Sequence, residues 1–178
     1  MSRTYVAKLT TIRIAYIAVL AALSVVCNVF SIPIGPNRYI SFAYIPCFVA
    51  GLFMGPVAGL LVGLVGDVLG VLIFPTGPWI PLITLSSALL GLIPGLISKI
   101  PRLNPYLKIA VAFVIVFFVC TAGFNTLGLW LTYAAGKKTF WVYLAGRLPL
   151  QALVLGINVV LMYALYPVAK RFLFARFA

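Results

Sequence analysis

The run Ile109-Ala-Val-Ala-Phe-Val-Ile-Val-Phe-Phe-Val119 carries no polar side chain on any face. A half-buried strand or a membrane-barrel strand alternates apolar and polar residues, and this run does not. A helix that is apolar all round is buried either in a large core or in lipid. The helix around it reads as 106–133, mostly apolar and well past the roughly 20 residues that cross a bilayer core. Working outward from it, five more apolar stretches read as helices: 11–32, 40–54, 56–74, 82–98 and 141–172. Pro/Gly-rich segments separate them, among them Pro33-Ile34-Gly35-Pro36-Asn37-Arg38, Gly55-Pro56 and Pro75-Thr76-Gly77-Pro78-Trp79-Ile80-Pro81. Pro46 lies inside the second stretch, where a kink is expected.

Composition supports lipid as the solvent. Of the 178 residues, 65% are hydrophobic and 8% charged, against about 25% charged in a soluble domain. So few charges cannot cover a water-facing surface. The expected fold is an all-α membrane protein, one domain over 1–178, a bundle of six transmembrane helices in a multi-pass arrangement. The first stretch follows Arg3, Lys8 and Arg13 in the manner of a signal peptide. It runs too long for one and more spans follow, so it reads as a retained first helix.

The formal charge is +12, and Asp67 is the single acidic residue. Six spans put both termini on one side. That side would carry nine of the thirteen basic residues: Arg3, Lys8, Arg13, Lys99, Arg102, Lys108, Lys170, Arg171 and Arg176. The other would carry Arg38, Lys137, Lys138 and Arg147. Basic residues gather on the cytoplasmic side, so both termini are expected there. The same rule accounts for the basic charge without nucleic acid. The three cysteines sit in apolar runs and read as small hydrophobes, and the chain has no His. No phosphate loop, paired carboxylates, metal ligand set or catalytic triad is present, so neither an enzyme nor a bound cofactor or metal is expected.

Polar side chains at membrane depth mark function or interhelical bonding. Asp67 fits three roles: a paired or hydrogen-bonded carboxyl, with Arg147 as candidate partner; a ligand contact; or a proton carrier. Arg147, Gln151 and Asn158 share a face of the last helix, and Thr121 and Asn125 share one on the fifth. Together with Arg38, Lys137, Lys138, Trp79, Trp130 and Trp141 at the outer rim, these stripes suit a pocket for an aromatic anion, with Arg gripping carboxylates and rings stacking on the ligand. Interhelical hydrogen bonds and an interfacial Trp belt explain the same residues equally well. Gly51, Gly55, Gly59 and Gly63, and Gly91 with Gly95, recur four apart, a spacing that lets helix backbones approach. Ala18 and Ala22 fit either internal packing or contact with another membrane subunit.

Several stretches, in order, resemble one transporter family. The basic N-terminus leads into Ala18-x-x-x-Ala22. Arg38-Tyr-Ile-Ser-Phe-Ala-Tyr-Ile-Pro is followed by Ala50-Gly-Leu-Phe-Met-Gly-Pro-Val-Ala-Gly. Gly66-Asp67 leads through Phe74-Pro-Thr-Gly-Pro to Thr84-Leu-Ser-Ser-Ala-Leu. Phe124-Asn-Thr-Leu precedes Trp130, Tyr133, Gly136-Lys137 and Arg147-Leu. The set is similar to the folate-specific S components of energy-coupling factor (ECF) vitamin transporters, over nearly the whole chain. Trp130 departs from the family's Asn-Thr-Leu-Trp order, since Gly128-Leu129 intervene after Leu127. The resemblance implies a bacterial cell-membrane subunit that captures folate or a similar anionic vitamin outside. It implies delivery inward with a transmembrane scaffold subunit and two ATPase subunits. It places substrate at Arg38, Phe74, Trp79, Asn125, Trp130, Lys137, Arg147 and Gln151, and the scaffold contact at Ala18 and Ala22. Pantothenate or another vitamin is the alternative within the family, and a self-sufficient proton-coupled carrier using Asp67 the alternative outside it.

Overall fold

The computed structural model describes residues 11–35, 38–75, 77–101 and 103–173. Arg3, Lys8, Arg102 and Arg176, on which part of the expected charge asymmetry rests, lie outside the described residues. Among the described residues, six helices form: α1 Thr11–Val29, α2 Tyr44–Met54, α3 Pro56–Ile73, α4 Pro81–Ser98, α5 Pro105–Ala134 and α6 Phe140–Arg171. The last four are long and apolar enough to cross a membrane, and α1 and α2 are shorter apolar helices. Proline opens α3, α4 and α5, where its missing N–H forfeits no intrahelical bond.

The segment after α1 differs from the expected loop. Residues β1 Ile32–Gly35 and β2 Arg38–Ile40 pair antiparallel, with Ile32 opposite Ile40. The pairing draws 32 out of the first helix and 40 out of the second. The start of α2 is set instead by Ser41, whose Oγ accepts from the Ala43 N–H at 3.2 Å. Such a local side-chain bond favours a turn over a helix. Pro46 therefore falls in the first turn of α2 rather than in its interior, where a proline costs least.

Glycines set the centre of the bundle. A Cβ added at Gly59 would strike the Gly91 carbonyl, and one at Gly63 would strike the Ser87 carbonyl. Gly51 and Gly95 are as tightly placed, against Gly91 and Pro56. The four-residue spacing thus brings α2, α3 and α4 into backbone contact, the internal-packing reading of those glycines. On the other side of α3, Gly66 takes Ser24 of α1 and Gly70 takes Asn28, whose Nδ2 donates to the Gly66 carbonyl at 3.5 Å. Phe48 of α2 stacks on Phe113 of α5 at 3.9 Å between centroids, and Val62, Ile109 and Met162 are fully buried around them. Ala18 and Ala22, by contrast, are exposed on α1, in one stripe with Val19, Leu23 and Val26, while Leu20, Ala21 and Ser24 face the core.

Candidate functional site

At the end of the bundle that carries the hairpin, the helices diverge around a cavity of about 320 Å³. That lies at the small end of the range for organic-ligand sites. All six helices contribute to the wall. Asn28 comes from α1, Tyr44 from α2, Asp67 from α3, Ser87 from α4, Asn125 from α5 and Arg147 from α6.

Asp67 is buried at 6% exposure, six residues before the end of α3. Its carboxylate accepts the Thr84 hydroxyl on Oδ2 at 2.7 Å and the Ser87 hydroxyl on Oδ1 at 3.1 Å. Thr84 and Ser87, three apart on α4, present to the same side. The Gly63–Ser87 contact one turn below brings that side against Asp67. The carboxyl is thus hydrogen-bonded by two hydroxyls of α4, and it also faces the cavity. Thr84 in turn accepts from the Trp79 indole N–H at 2.9 Å, which ties the α3–α4 loop to the cavity wall.

Arg147 is buried at 5%, in the second turn of α6, with its guanidinium carbon 5.7 Å from the centre of the Tyr143 ring. Gln151, one turn on, also lines the cavity. Asn158 shares their face about three turns deeper than Arg147. There its Nδ2 donates to the Ser41 carbonyl at 3.1 Å and the Val154 carbonyl at 2.8 Å, pinning the turn before α2 to α6. The polar stripe of α6 therefore divides into a cavity part and a structural part.

The stripe of α5 divides the same way. From Phe117 to Asn125 this helix is wound as a π-helix, a form that recurs at functional sites. Thr121 bonds the Tyr44 hydroxyl at 2.8 Å, and Thr126 donates to the Thr121 carbonyl five residues back at 2.7 Å. Asn125 faces the cavity instead, and its Oδ1 is buried with no hydrogen-bond partner among the described residues. A buried unsatisfied amide oxygen is costly and marks a place where a ligand or water completes the bonding.

Phe74 and Trp79 stand at the mouth, more than half exposed, with Tyr39 and Tyr133 beside them. Gly77 sits so close to the Tyr133 hydroxyl that a Cβ there would press on it, so the α3–α4 loop leans on the end of α5. Two of the residues expected at substrate, Trp130 and Lys137, stand apart from this wall. Trp130 packs edge-on against Phe140, and its indole donates to the Lys138 carbonyl at 2.8 Å, closing the α5–α6 turn. Lys137 is exposed in that turn. Arg38 opens β2 next to the cavity residue Tyr39, and its side chain lies outside what is described. The sequence did not single out Tyr44 and Ser87 of the wall, or Thr84 behind it. Three hydroxyls within four residues, Thr84, Ser86 and Ser87, in a mostly apolar helix were the available signal.

The wall thus offers a carboxylate, a guanidinium and amides inside a rim of aromatic rings. That set suits a flat, polar-edged organic ligand with an anionic part. A relative of Clostridium novyi (strain NT) named folate transporter FolT is 28% identical over 156 residues, 88% of each chain. A crystal structure of FolT bound with folic acid superimposes with a TM-score of 0.75 at 27% identity, covering 88% of this chain and 93% of that one. The S component of a bacterial ECF transporter shares the fold, with a TM-score of 0.70 at 24% identity over 90% and 96% of the two chains. Residues 8–171 match the family model for the S component of ECF-type riboflavin transporters, and the chain belongs to this family of integral membrane ECF S components.

Proposed function

We propose that this S component captures a folate. The observation that carries the reading is the Asp67 carboxylate in the cavity wall, with one hydroxyl bond on each oxygen. A carboxylate has about four acceptor positions, so one on each oxygen is left for a ligand. The pterin of folate offers two neighbouring N–H donors, from its 2-amino group and N3, which pair with such a carboxylate side by side. The flavin ring of riboflavin, the vitamin in the family's description, offers a single N–H between two carbonyl oxygens. Those oxygens would face the carboxylate without a shared proton, so the flavin is disfavoured. Arg147 serves the anionic tail, with Arg38 and Lys137 adding positive field at the mouth. Asn125 and Gln151 contribute amides, Phe74 and Trp79 cover the ligand, and Trp130 holds the turn that carries Lys137.

The chain acts as a single domain over 1–178 with both termini in the cytoplasm, which opens the cavity to the outside. It hands folate inward through a transmembrane scaffold subunit and two ATPase subunits. The exposed Ala18–Ala22 stripe, smooth enough for close helix approach, is the scaffold contact.

The test is a titration of the detergent-purified chain with folate, riboflavin and pantothenate. Folate is expected to bind most tightly. Tighter binding of riboflavin or pantothenate would overturn the ligand assignment. Uptake into vesicles by the chain alone, without ATPases, would favour a proton-coupled carrier.

A further inference from the structure

We propose that Thr84 is a positioning residue for ligand selection. Its single hydroxyl, held in one direction by Trp79, aims the Asp67 carboxylate at a paired N–H edge and so sets the preference for a 2-amino ring over a 2-oxo ring. The inference rests on the folate reading and assigns a role within it to two side chains that need not touch the ligand's recognised edge.

The direction follows from what each group can donate. An indole N–H is a donor only, and a threonine hydroxyl has one hydrogen to give. Trp79 Nε1 lies 2.9 Å from Thr84 Oγ1 and so occupies a lone pair of that oxygen. The hydroxyl hydrogen is left to point at Asp67 Oδ2, 2.7 Å away, a short bond of the charge-assisted kind. Ser87 meanwhile donates to Oδ1 at 3.1 Å. With both oxygens anchored from α4, the carboxylate does not swing about its own bond, and its remaining acceptor positions keep a fixed aim.

Packing holds the donors in place. Thr84 and Asp67 are both buried, and the backbone contact of Gly63 with Ser87 locks the register of α3 against α4 one turn away. Trp79 differs from them. It is 58% exposed, on the loop at the cavity mouth, and its indole hydrogen bond is its link to the wall. The chain of donors from Trp79 to Thr84 to Asp67 therefore runs from the mouth to the recognition group, each bond polarising the next.

A fixed carboxylate discriminates sharply because a mismatched ligand leaves it facing an oxygen in a site from which water is excluded. A carboxylate free to turn avoids that mismatch and loses the distinction. The measurable consequence is a ratio of affinities for two ligands that differ at one position, and a general loss of stability does not move such a ratio.

The experiment compares folate with its 2-oxo analogue, in which a carbonyl replaces the 2-amino group, on the full purified chain, with thermal unfolding followed in parallel. Wild type is expected to prefer folate by about a hundredfold or more, in line with sites built to hydrogen-bond their substrate. Thr84→Val keeps the side chain's shape and removes the hydroxyl, and should narrow the ratio by roughly tenfold, about what one hydrogen bond to a charged group is worth. Thr84→Ser should restore the wild-type ratio. Trp79→Phe, at an exposed position, should narrow the ratio by a smaller factor. It carries the test alone should Thr84→Val not fold, and an unchanged ratio in Trp79→Phe overturns the relay. An unchanged ratio in Thr84→Val, or equal weakening of both ligands, overturns the positioning role. A wild-type chain that binds folate without distinguishing the 2-oxo analogue instead refutes the pairing of Asp67 with the pterin, and one that binds no folate refutes the functional reading itself.

Discussion

Gly59 and Gly91 meet backbone to backbone: a Cβ built on either falls on the carbonyl group of the other. Because the obstacle is main chain, no side-chain rotation relieves it, and α3 and α4 would have to part. Gly91→Ala should therefore destabilise the chain by about 1–3 kcal/mol or more, as overpacking does. Gly156 of α6 has open space around it. There Gly156→Ala should be neutral or slightly stabilising, by up to about 1 kcal/mol from helix propensity. Thermal unfolding in detergent checks both, and equal melting temperatures for the two variants would contradict the close crossing.

The exposed stripe of α1 separates assembly from binding. Ala18→Trp and Ala22→Trp place a large ring on the outside of the bundle, away from the cavity. Folate affinity of the isolated chain should stay within about twofold. Co-purification with the scaffold subunit should fall steeply, since a ring there prevents close helix approach. Ala21→Trp, aimed at the core, should instead lower stability by about 1–3 kcal/mol. Normal uptake by both exposed variants would show that this stripe faces only lipid.

Arg147 and Lys138 should respond differently to truncation. Arg147 is buried in the cavity wall, and a hydrogen bond to a charged group is worth about 1.5–3 kcal/mol, so Arg147→Ala should weaken folate at least about tenfold. Asp67 keeps its Thr84 and Ser87 bonds in that variant, which limits collateral loss of stability. Lys138 is exposed, and the group that holds Trp130 is its carbonyl, which Lys138→Ala retains. Its cost should be well under 1 kcal/mol, as for an exposed charge. Calorimetry alongside a melting curve distinguishes the cases. Wild-type affinity in Arg147→Ala at equal stability would remove it from the site.

Orientation is open to labelling. With Cys27 replaced by Ser, the native thiols that remain, Cys47 and Cys120, are buried. Lys137→Cys should then react with a membrane-impermeant maleimide added to intact cells, and Ser2→Cys should react only after the cells are opened. The reverse pattern would invert the chain and close the cavity to the outside.

Membrane residence, helix content and approximate helix ends were legible in the sequence, because each depends on neighbours along the chain. An apolar run such as Ile109–Val119 must lie in lipid or a core whatever surrounds it, and Pro56, Pro81 and Pro105 open helices by their own stereochemistry. The glycine spacing announced close helix contacts for the same reason. Partner choice was not legible. Arg147 and the α4 hydroxyls were both available in the sequence to Asp67, and the approach of Gly63 to Ser87 placed Thr84 and Ser87 within reach. Asn158 and Gln151 differ little as residues on one stripe. The turn held by Ser41 reached the first and the cavity reached the second. Trp130 was claimed by the Lys138 carbonyl of its own turn. Periodicity tells which face a side chain leaves from, but what it meets depends on the crossing, depth and register of other helices, and those are settled only when the whole bundle packs.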